Sequence, residues 1–322
     1  MNKLTADLKS RAIAEGFDLV GVAAAAKAQS ASYLERWLDL GMHAEMGYME
    51  RTRDIRSDPR LLLPGCNSVV ALAMSYHCDQ PDSTALAGHN GRVWVSRYAW
   101  GRDYHRVLKK KLIRLGHWLA ERQPRSAWRV CVDTAPILER EWAARAGLGW
   151  IGKNTLLLNR ELGSELFLGV LLTDQKLIPD RPLPEHCGTC TSCLEACPTG
   201  AFPEPKVLDA RRCVGYLTVE HRSGIPAEFR PGVGTMIAGC DICQEVCPWN
   251  EGPLPCSEDP DVQPRPWILS LRRDQALSWD DATWLEKLRG SALRRIKPWM
   301  WRRNAEAARV ESPPTLNGST ST

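Results

Sequence analysis

Over the first 180 residues the apolar positions alternate between a spacing near 3.6 and short continuous runs, as expected for helices packed on a sheet. Leu4, Leu8 and Ala12 share one face, so a helix is predicted over 5–15, with Gly16 suited to its end. A strand is predicted over 17–22. Ser32 and Glu35 have capping-box spacing ahead of a helix that aligns Leu34, Trp37 and Leu38. The apolar runs at 68–74, 128–132 and 165–172 have strand length. Asp103 can cap a long helix in which Leu108, Leu112, Leu115 and Leu119 form one stripe. Pro136 stands where proline favours helix initiation, and that helix is expected to end near Gly147.

The pattern breaks at Pro179, which with Pro182 and Pro184 forms a linker-like stretch. Residues 187–256 are rich in Cys, Gly and Pro and show little periodicity. Such a segment is expected to bury little apolar surface and to need metal to hold it. Helical spacing returns after Pro266, with helices predicted over 278–289 and over 291–309, the second interrupted by Pro298. A polar tail from Ser312 is expected to be disordered. The chain thus divides into 1–180, 181–258, 259–310 and 311–322.

Composition sets limits on this picture. The 322 residues are 43% hydrophobic and 25% charged, ordinary for a globular protein. No stretch approaches the roughly 20 apolar residues needed to span a bilayer, and residues 1–10 lack the pattern of a secretory signal. The expectation is a cytoplasmic monomer with no membrane partner. Twelve cysteines in a reducing compartment point to metal binding, not to disulfides. The formal charge of +4 is mild, but between Glu286 and Arg309 eight Lys/Arg face two acids, with Trp299 and Trp301 interleaved. This is either a nucleic-acid surface or a solvated helix face with core tryptophans.

The strongest signal is Cys187-x2-Cys190-x2-Cys193-x3-Cys197-Pro198, the bacterial ferredoxin spacing. A displaced copy follows as Cys213, then Cys240-x2-Cys243-x3-Cys247-Pro248. Each iron of a cubane takes one thiolate, and the cysteine before the proline turns away to the neighbouring cluster. One [4Fe–4S] cluster is therefore assigned to Cys187, Cys190, Cys193 and Cys247, the other to Cys197, Cys213, Cys240 and Cys243. Structural zinc normally uses two separated Cys pairs and fits this spacing poorly. Cys66, Cys78 and Cys131 read as buried and inert, and Cys256 has no ligand role.

Weaker signals each have a plain alternative. Asp133 follows a predicted strand, where crevices open in α/β sheets. It could donate a proton if its surroundings raise its pKa, or merely cap the next helix. The glycine-rich 147–154, with Lys153 and Asn154, could approach a phosphate or form a tight turn. No dinucleotide or phosphate-loop glycine motif is present.

Taken together, Asp54–Pro59, Arg97–His105, Val132–Arg140, Gly149–Asn154, the eight cysteines, Tyr216–Arg222 and Gly290–Ile296 resemble the epoxyqueuosine reductases over most of the chain. The resemblance implies an α+β fold: a nitroreductase-like cobalamin-binding domain, a ferredoxin-like two-cluster domain and a short helical-repeat (HEAT-like) segment. It implies reduction of epoxyqueuosine to queuosine at the tRNA wobble position, with cobalamin, two [4Fe–4S] clusters and an external low-potential electron donor. Asp133 is the implied proton donor. Arg56, Tyr98, Asp133, Lys153, Asn154, Leu157, Leu168, Cys240 and Asp241 fall in segments that line cobalamin in the family. His221 and Arg222 match a tRNA-contacting stretch, and Arg294, Arg295, Arg302 and Arg303 are the candidate phosphate contacts. Asp103-Tyr-His105-Arg-Val-Leu108 lacks the glycine of the Asp-x-His-x2-Gly cobalt-ligand motif, so no histidine ligand is expected. The rival readings are a cobalamin-dependent reductive dehalogenase, commonly exported with a twin-arginine leader that is absent here, and a ferredoxin-type carrier with no enzyme activity.

Overall fold

A computed structural model describes residues 3–86 and 89–310; the polar tail lies outside them. Helix α1 (Lys3–Ala14) leads into strand β1 (Leu19–Ala24), followed by α2 (Ala31–Asp39) and β2 (Ser68–Ser75). A short β3 (Trp94–Val95) precedes the long α3 (Tyr104–Arg122), β4 (Trp128–Cys131) and α4 (Glu139–Arg145). The hairpin β5 (Trp150–Ile151) and β6 (Leu157–Leu158) comes before β7 (Leu166–Thr173).

The central sheet has the order β1-β2-β7-β4, antiparallel throughout, with Val22 opposite Val70, Ala71 opposite Val170 and Val130 opposite Leu171. Every residue of β2 is buried because both faces of the sheet are covered. One face packs Val70, Leu72, Met74 and Leu171 under Leu8, Ala12 and the predicted stripe Leu108, Leu112, Leu115 and Leu119. The other packs Val69, Ala71, Ala73, Val170 and Leu172 against Trp142 and Ala143 of α4. Helix α3 lies close to β4 at Gly116, where a Cβ would come within 2.5 Å of the Trp128 ring.

A second core joins parts of the chain that the sequence separates. Strand β3 pairs in parallel with β8 (Met236–Ala238). Val93, Trp94 and Trp100 share a core with Val214, Ile237, Leu288, Ile296, Met300 and Trp301. The cysteine-rich segment therefore buries more apolar surface than expected. Its insertion carries helix α5 (Val214–Val219) and contributes Ile225, Val233 and Met236 to that core.

Several local expectations are corrected. Helix α2 begins at Ala31, so Ser32 lies inside it. The amides of Gln29 and Ser30 are met by the Glu141 carboxylate at 2.6 and 3.1 Å, not by a capping box. Pro136 does not open a helix, and α4 starts at Glu139. The helix predicted over 278–289 is the shorter α7 (Asp281–Lys287), capped by Asp280, and a separate helix, α6 (Arg273–Ser278), precedes it. The segment over 291–309 is broken just before Pro298, where extended Ile296 and Lys297 separate a single turn at Ala292–Arg295 from the next helix. Pro298 is the first residue of that helix, α8 (Pro298–Ala307), where its missing N–H costs no hydrogen bond.

Candidate functional site

Asp133 lies just past the end of β4 with φ 47°, a left-handed conformation uncommon for a residue with a side chain. Its amide donates to Glu139 Oε1 at 2.6 Å, which holds the turn against the start of α4. Its carboxylate caps nothing. It reaches instead to the start of α3, where Oδ2 is 3.0 Å from His105 Nε2. The other ring nitrogen, Nδ1, is 2.7 Å from Asp103 Oδ1, and Asp103 also caps α3 by accepting from the His105 amide at 3.2 Å. Tyr104 stacks on His105 with centroids 4.0 Å apart and on Phe167 of β7 at 4.5 Å. The sequence therefore places an Asp–His–Asp line across the mouth between α3 and β4.

The electrostatics of this line overturn one expectation. Burial pushes the Asp133 carboxyl up, but the hydrogen bond and charge of His105, with Arg295 and Arg56 beyond, outweigh it and hold Asp133 below the ordinary aspartate range. Burial opposes the charge on His105, yet its bonds to Asp103 and Asp133 raise it to about 9. The carboxyl that is raised is Glu139, pushed to about 8 by burial and by the neighbouring Asp133 charge. Asp133 remains 57% exposed, so its carboxylate is open to solvent.

Charged and aromatic groups from other segments act on Asp133. Arg56 is buried, its Nε donating to Thr52 Oγ1 at 2.9 Å, and burial lowers its pKa. Arg295 grips Glu220 through Nε and Nη2 at 2.7 and 2.6 Å and lies 5.8 Å over the Tyr48 ring. Burial pushes the Tyr98 phenol up, reinforced by Asp133 on one side and Asp241 on the other. Tyr98 meets Tyr104 edge-on with centroids 6.2 Å apart and packs against Gly239, directly before Cys240.

The cysteines form two groups. Cys187, Cys190, Cys193 and Cys247 line a cavity of about 200 Å3 closed by Lys153, Asn154, Pro248 and Trp249. The second group joins Cys197, Cys213, Cys240 and Cys243: the Cys240 thiol is raised by burial and then by the charges of Cys213 and Cys197, and Cys243 by burial and then by Cys240 and Cys213. Cys193 also acts on Cys243, which brings the groups near each other. Among the described residues no three His, Cys, Asp or Glu converge on a single metal ion. Thiolates spread around a cavity fit the corners of a cubane, each iron taking one sulfur.

Other predicted residues hold the frame. Lys153 Nζ donates to the carbonyls of Gly188 and Cys190, both at 2.8 Å, and so supports the first cysteine loop. Asn154 Nδ2 donates to Cys243 O at 3.2 Å. Leu157 and Leu168 pack in the sheet core, Leu157 fully buried. Asp241 is buried with its carboxylate committed to Trp94 Nε1 and the Arg97 amide, both at 2.9 Å, and to the Ser96 hydroxyl. His221 Nε2 contacts Gly224 O at 3.1 Å, and the Arg222 amide donates to Glu45 at 2.7 Å. Arg294 is exposed, Arg302 pairs with Asp281 at 2.8 Å, and Arg303 donates to the carbonyls of His221 and Leu217, both at 2.8 Å. Burial lowers the Arg303 pKa to about 10, which marks it as a built-in strut. Trp299 is exposed while Trp301 is core. Cys66 and Cys131 are buried as expected, Cys78 is half-buried, and Cys256 is exposed.

Sequence reasoning considered His105 only as a cobalt ligand and passed over Glu139, Tyr48 and Glu220. The signal for His105 was present in Asp103-Tyr-His105, a cap and a histidine two residues apart at one helix start. Glu220 carries no local signal because its partner, Arg295, lies far along the chain, and Glu139 gains its role only when the turn at Asp133 buries it.

Comparison with known proteins identifies the family. The family model described as Epoxyqueuosine reductase QueG, DUF1730 matches residues 56–134, and the 4Fe-4S double cluster binding domain matches residues 186–250. The epoxyqueuosine reductase of Synechococcus sp. (strain CC9605) is 50% identical over 319 residues, covering 98% of this chain and 97% of its own. That of Escherichia coli (strain K12) is 42% identical over 316 residues, covering 97% and 82%. A crystal structure of epoxyqueuosine reductase with an epoxyqueuosine-modified tRNA-Tyr stem loop superposes with TM-score 0.87 at 33% identity, over 95% of this chain and 80% of that one. A Bacillus subtilis epoxyqueuosine reductase, solved with its catalytic aspartate loop swung out of the active site, gives 0.85 at 32% identity over the same shares. The chain belongs to the epoxyqueuosine reductase family.

Proposed function

We propose that this protein reduces the epoxide of epoxyqueuosine to queuosine at the wobble position of tRNA, and that the reaction takes place in the cleft of Asp133. The 50% identity to an epoxyqueuosine reductase across nearly the whole of both chains carries this reading. The cysteine groups hold two [4Fe–4S] clusters, Cys187, Cys190, Cys193 and Cys247 on one and Cys197, Cys213, Cys240 and Cys243 on the other. Residues 1–180 form a nitroreductase-like cobalamin-binding domain, 181–258 a ferredoxin-like domain and 259–310 a HEAT-like tRNA-binding segment. A low-potential donor supplies electrons from outside.

Cobalamin, when bound, supplies the low-potential two-electron chemistry that side chains lack. Arg56, Tyr98 and the Tyr48–Arg295 side of the cleft would hold it, offering aromatic surface and cations for its amide-bearing rim. His105 has both ring nitrogens engaged by carboxylates and is not free to ligate cobalt. Asp133 faces the open cleft and orients a proton toward the epoxide oxygen. Arg222, Arg294 and Arg295 lie on the side where a phosphate backbone would run, with His221 supporting the same turn. Anaerobic incubation with cobalamin, a strong reductant and epoxyqueuosine-containing tRNA, followed by nucleoside analysis, tests the reading. Queuosine is the expected product, and its absence at full iron and cobalamin content would overturn it. Cobalamin in the purified protein would also exclude a simple electron carrier.

A further inference from the structure

We propose that the acid of this cleft is a pair: the proton given to the epoxide oxygen is stored on His105 and passes through Asp133. This rests on the functional reading above and adds a residue to it. The geometry carries the inference. His105 is pinned at both nitrogens, 2.7 Å from Asp103 Oδ1 and 3.0 Å from Asp133 Oδ2. Asp103 is fixed in turn as the cap of α3, and the ring is held flat by stacking on Tyr104. The Asp103 bond leaves Nε2 as the nitrogen facing Asp133, and Asp133 is the member of the line open to the cleft.

The charges agree. From its own helix His105 meets Asp103, Tyr104 and Arg106, and from the loop after β4 it meets Asp133 and Glu139. Arg56, Arg295, Tyr48 and Tyr98 act on Asp133 or are acted on by it from the far side of the cleft. The two carboxylates keep His105 protonated to about pH 9, while the cations keep Asp133 ionised. At neutral pH the proton therefore rests on Nε2, and an isolated Asp133 would have little to give.

The step balances simply. Two electrons arrive one at a time from the external donor through the clusters as a ring C–O bond breaks. His105 Nε2 gives its proton to the Asp133 carboxylate as Asp133 passes one to the oxygen, so that Asp133 ends the step ionised, as it began. The ring is left neutral, with its remaining proton on Nδ1 toward Asp103, and is recharged from water. A second cycle of this route supplies the proton needed for the hydroxyl to depart as water. His105 acts through Asp133 and is a positioning and proton-holding residue.

Two measurements test this. In cluster-loaded, cobalamin-free protein carrying [13C]histidine, the signal missing from His105→Asn should titrate near pH 9. Titration near the ordinary value of about 6.5 would overturn the proposal. In single turnover on epoxyqueuosine-containing tRNA, wild-type rates should hold through neutrality and fall as pH rises through about 9, because the raised histidine loses its proton there. His105→Asn should be slower by about 10- to 100-fold at pH 7 and should recover toward wild type as pH falls toward the aspartate range, where Asp133 carries its own proton. Asp103→Asn, which retains the histidine, should move the basic limb to lower pH. A deficit in His105→Asn that is constant across pH would show a merely structural role and overturn the proposal. If wild type makes no queuosine at any pH, the functional reading itself falls, whatever the histidine titration shows.

Discussion

The two cysteine groups come from related motifs, and they differ in how far one edge is open to solvent. In the first, burial raises the Cys193 and Cys247 thiols, but Cys190 is exposed and its thiol is lowered by the hydrogen bond from Ser192, while Lys153 ties the loop carbonyls. In the second, burial pushes up the thiols of Cys213, Cys240 and Cys243. The cause is the displaced cysteine. Cys213 comes from the start of α5, which packs into the second core, and Thr218 of that helix accepts a hydrogen bond from the Gly239 amide at 2.9 Å, directly before Cys240. The first group thus has an exposed edge at Cys190, while the second lies beside Tyr98, which packs against Gly239 directly before Cys240. A chain of two clusters so arranged has an outer end for a donor and an inner end for the reaction.

Removing one ligand from each group should break or sharpen that contrast most strongly. Wild type should carry about eight irons per chain. Cys243→Ala should halve this and abolish single turnover with any reductant, because the inner end is lost. Cys190→Ala should also halve it yet leave measurable turnover with a small reductant that can reach the inner cluster. Equal loss in both would remove the distinction between outer and inner ends. Cys197→Ala should strip iron from the inner group, although its sequence neighbours belong to the outer one, and loss from the outer group would refute the crossed assignment.

A smaller effect is expected at the inner end's acid. Asp133→Asn should retain both clusters, seen by iron analysis and electron paramagnetic resonance, while single turnover falls by about 100-fold or more. Near-normal turnover would remove Asp133 from proton delivery.

The arginines of the C-terminal segment divide in the same way, into outward-facing and built-in groups. Arg294→Ala should weaken tRNA binding and flatten the slope of log affinity against log salt by about one unit per lost phosphate contact. Arg303→Ala should instead destabilise folding by about 1–3 kcal/mol, since it leaves the Leu217 and His221 carbonyls without a donor. Denaturant melts and salt-series binding together separate the two. The smallest effect is expected for Lys153→Ala. Loss of its two bonds to the outer loop should speed iron release to a chelator while leaving the inner cluster intact.

Much of the fold was legible because it follows from local repetition. The leucine stripe of α3, the apolar run of β2 and the cap at Asp103 are written in adjacent residues, and the structure uses them as they read. The cysteine spacing and the segments that resemble the family were equally local. Helix limits were less legible wherever the stabilising partner lies far along the chain. Glu141 caps α2 from more than a hundred residues away, and a local capping box at Ser32 was read in its place.

The site shows the same division. The sequence by itself determined the ferredoxin-type cysteine pattern, the carboxylate at a strand end and the basic C-terminal segment, since each is a matter of residue type and spacing. Only the tertiary structure decided the ionisation of the acid. Asp133 depends on His105 from α3, on Arg56 near α2 and on Arg295 beyond the second core, and those charges reverse the upward shift that burial alone would produce. The tertiary structure likewise separated Arg303 from Arg294, making one a strut and leaving the other exposed. A pKa or an arginine's role is a sum over neighbours in space, and folding alone chooses those neighbours.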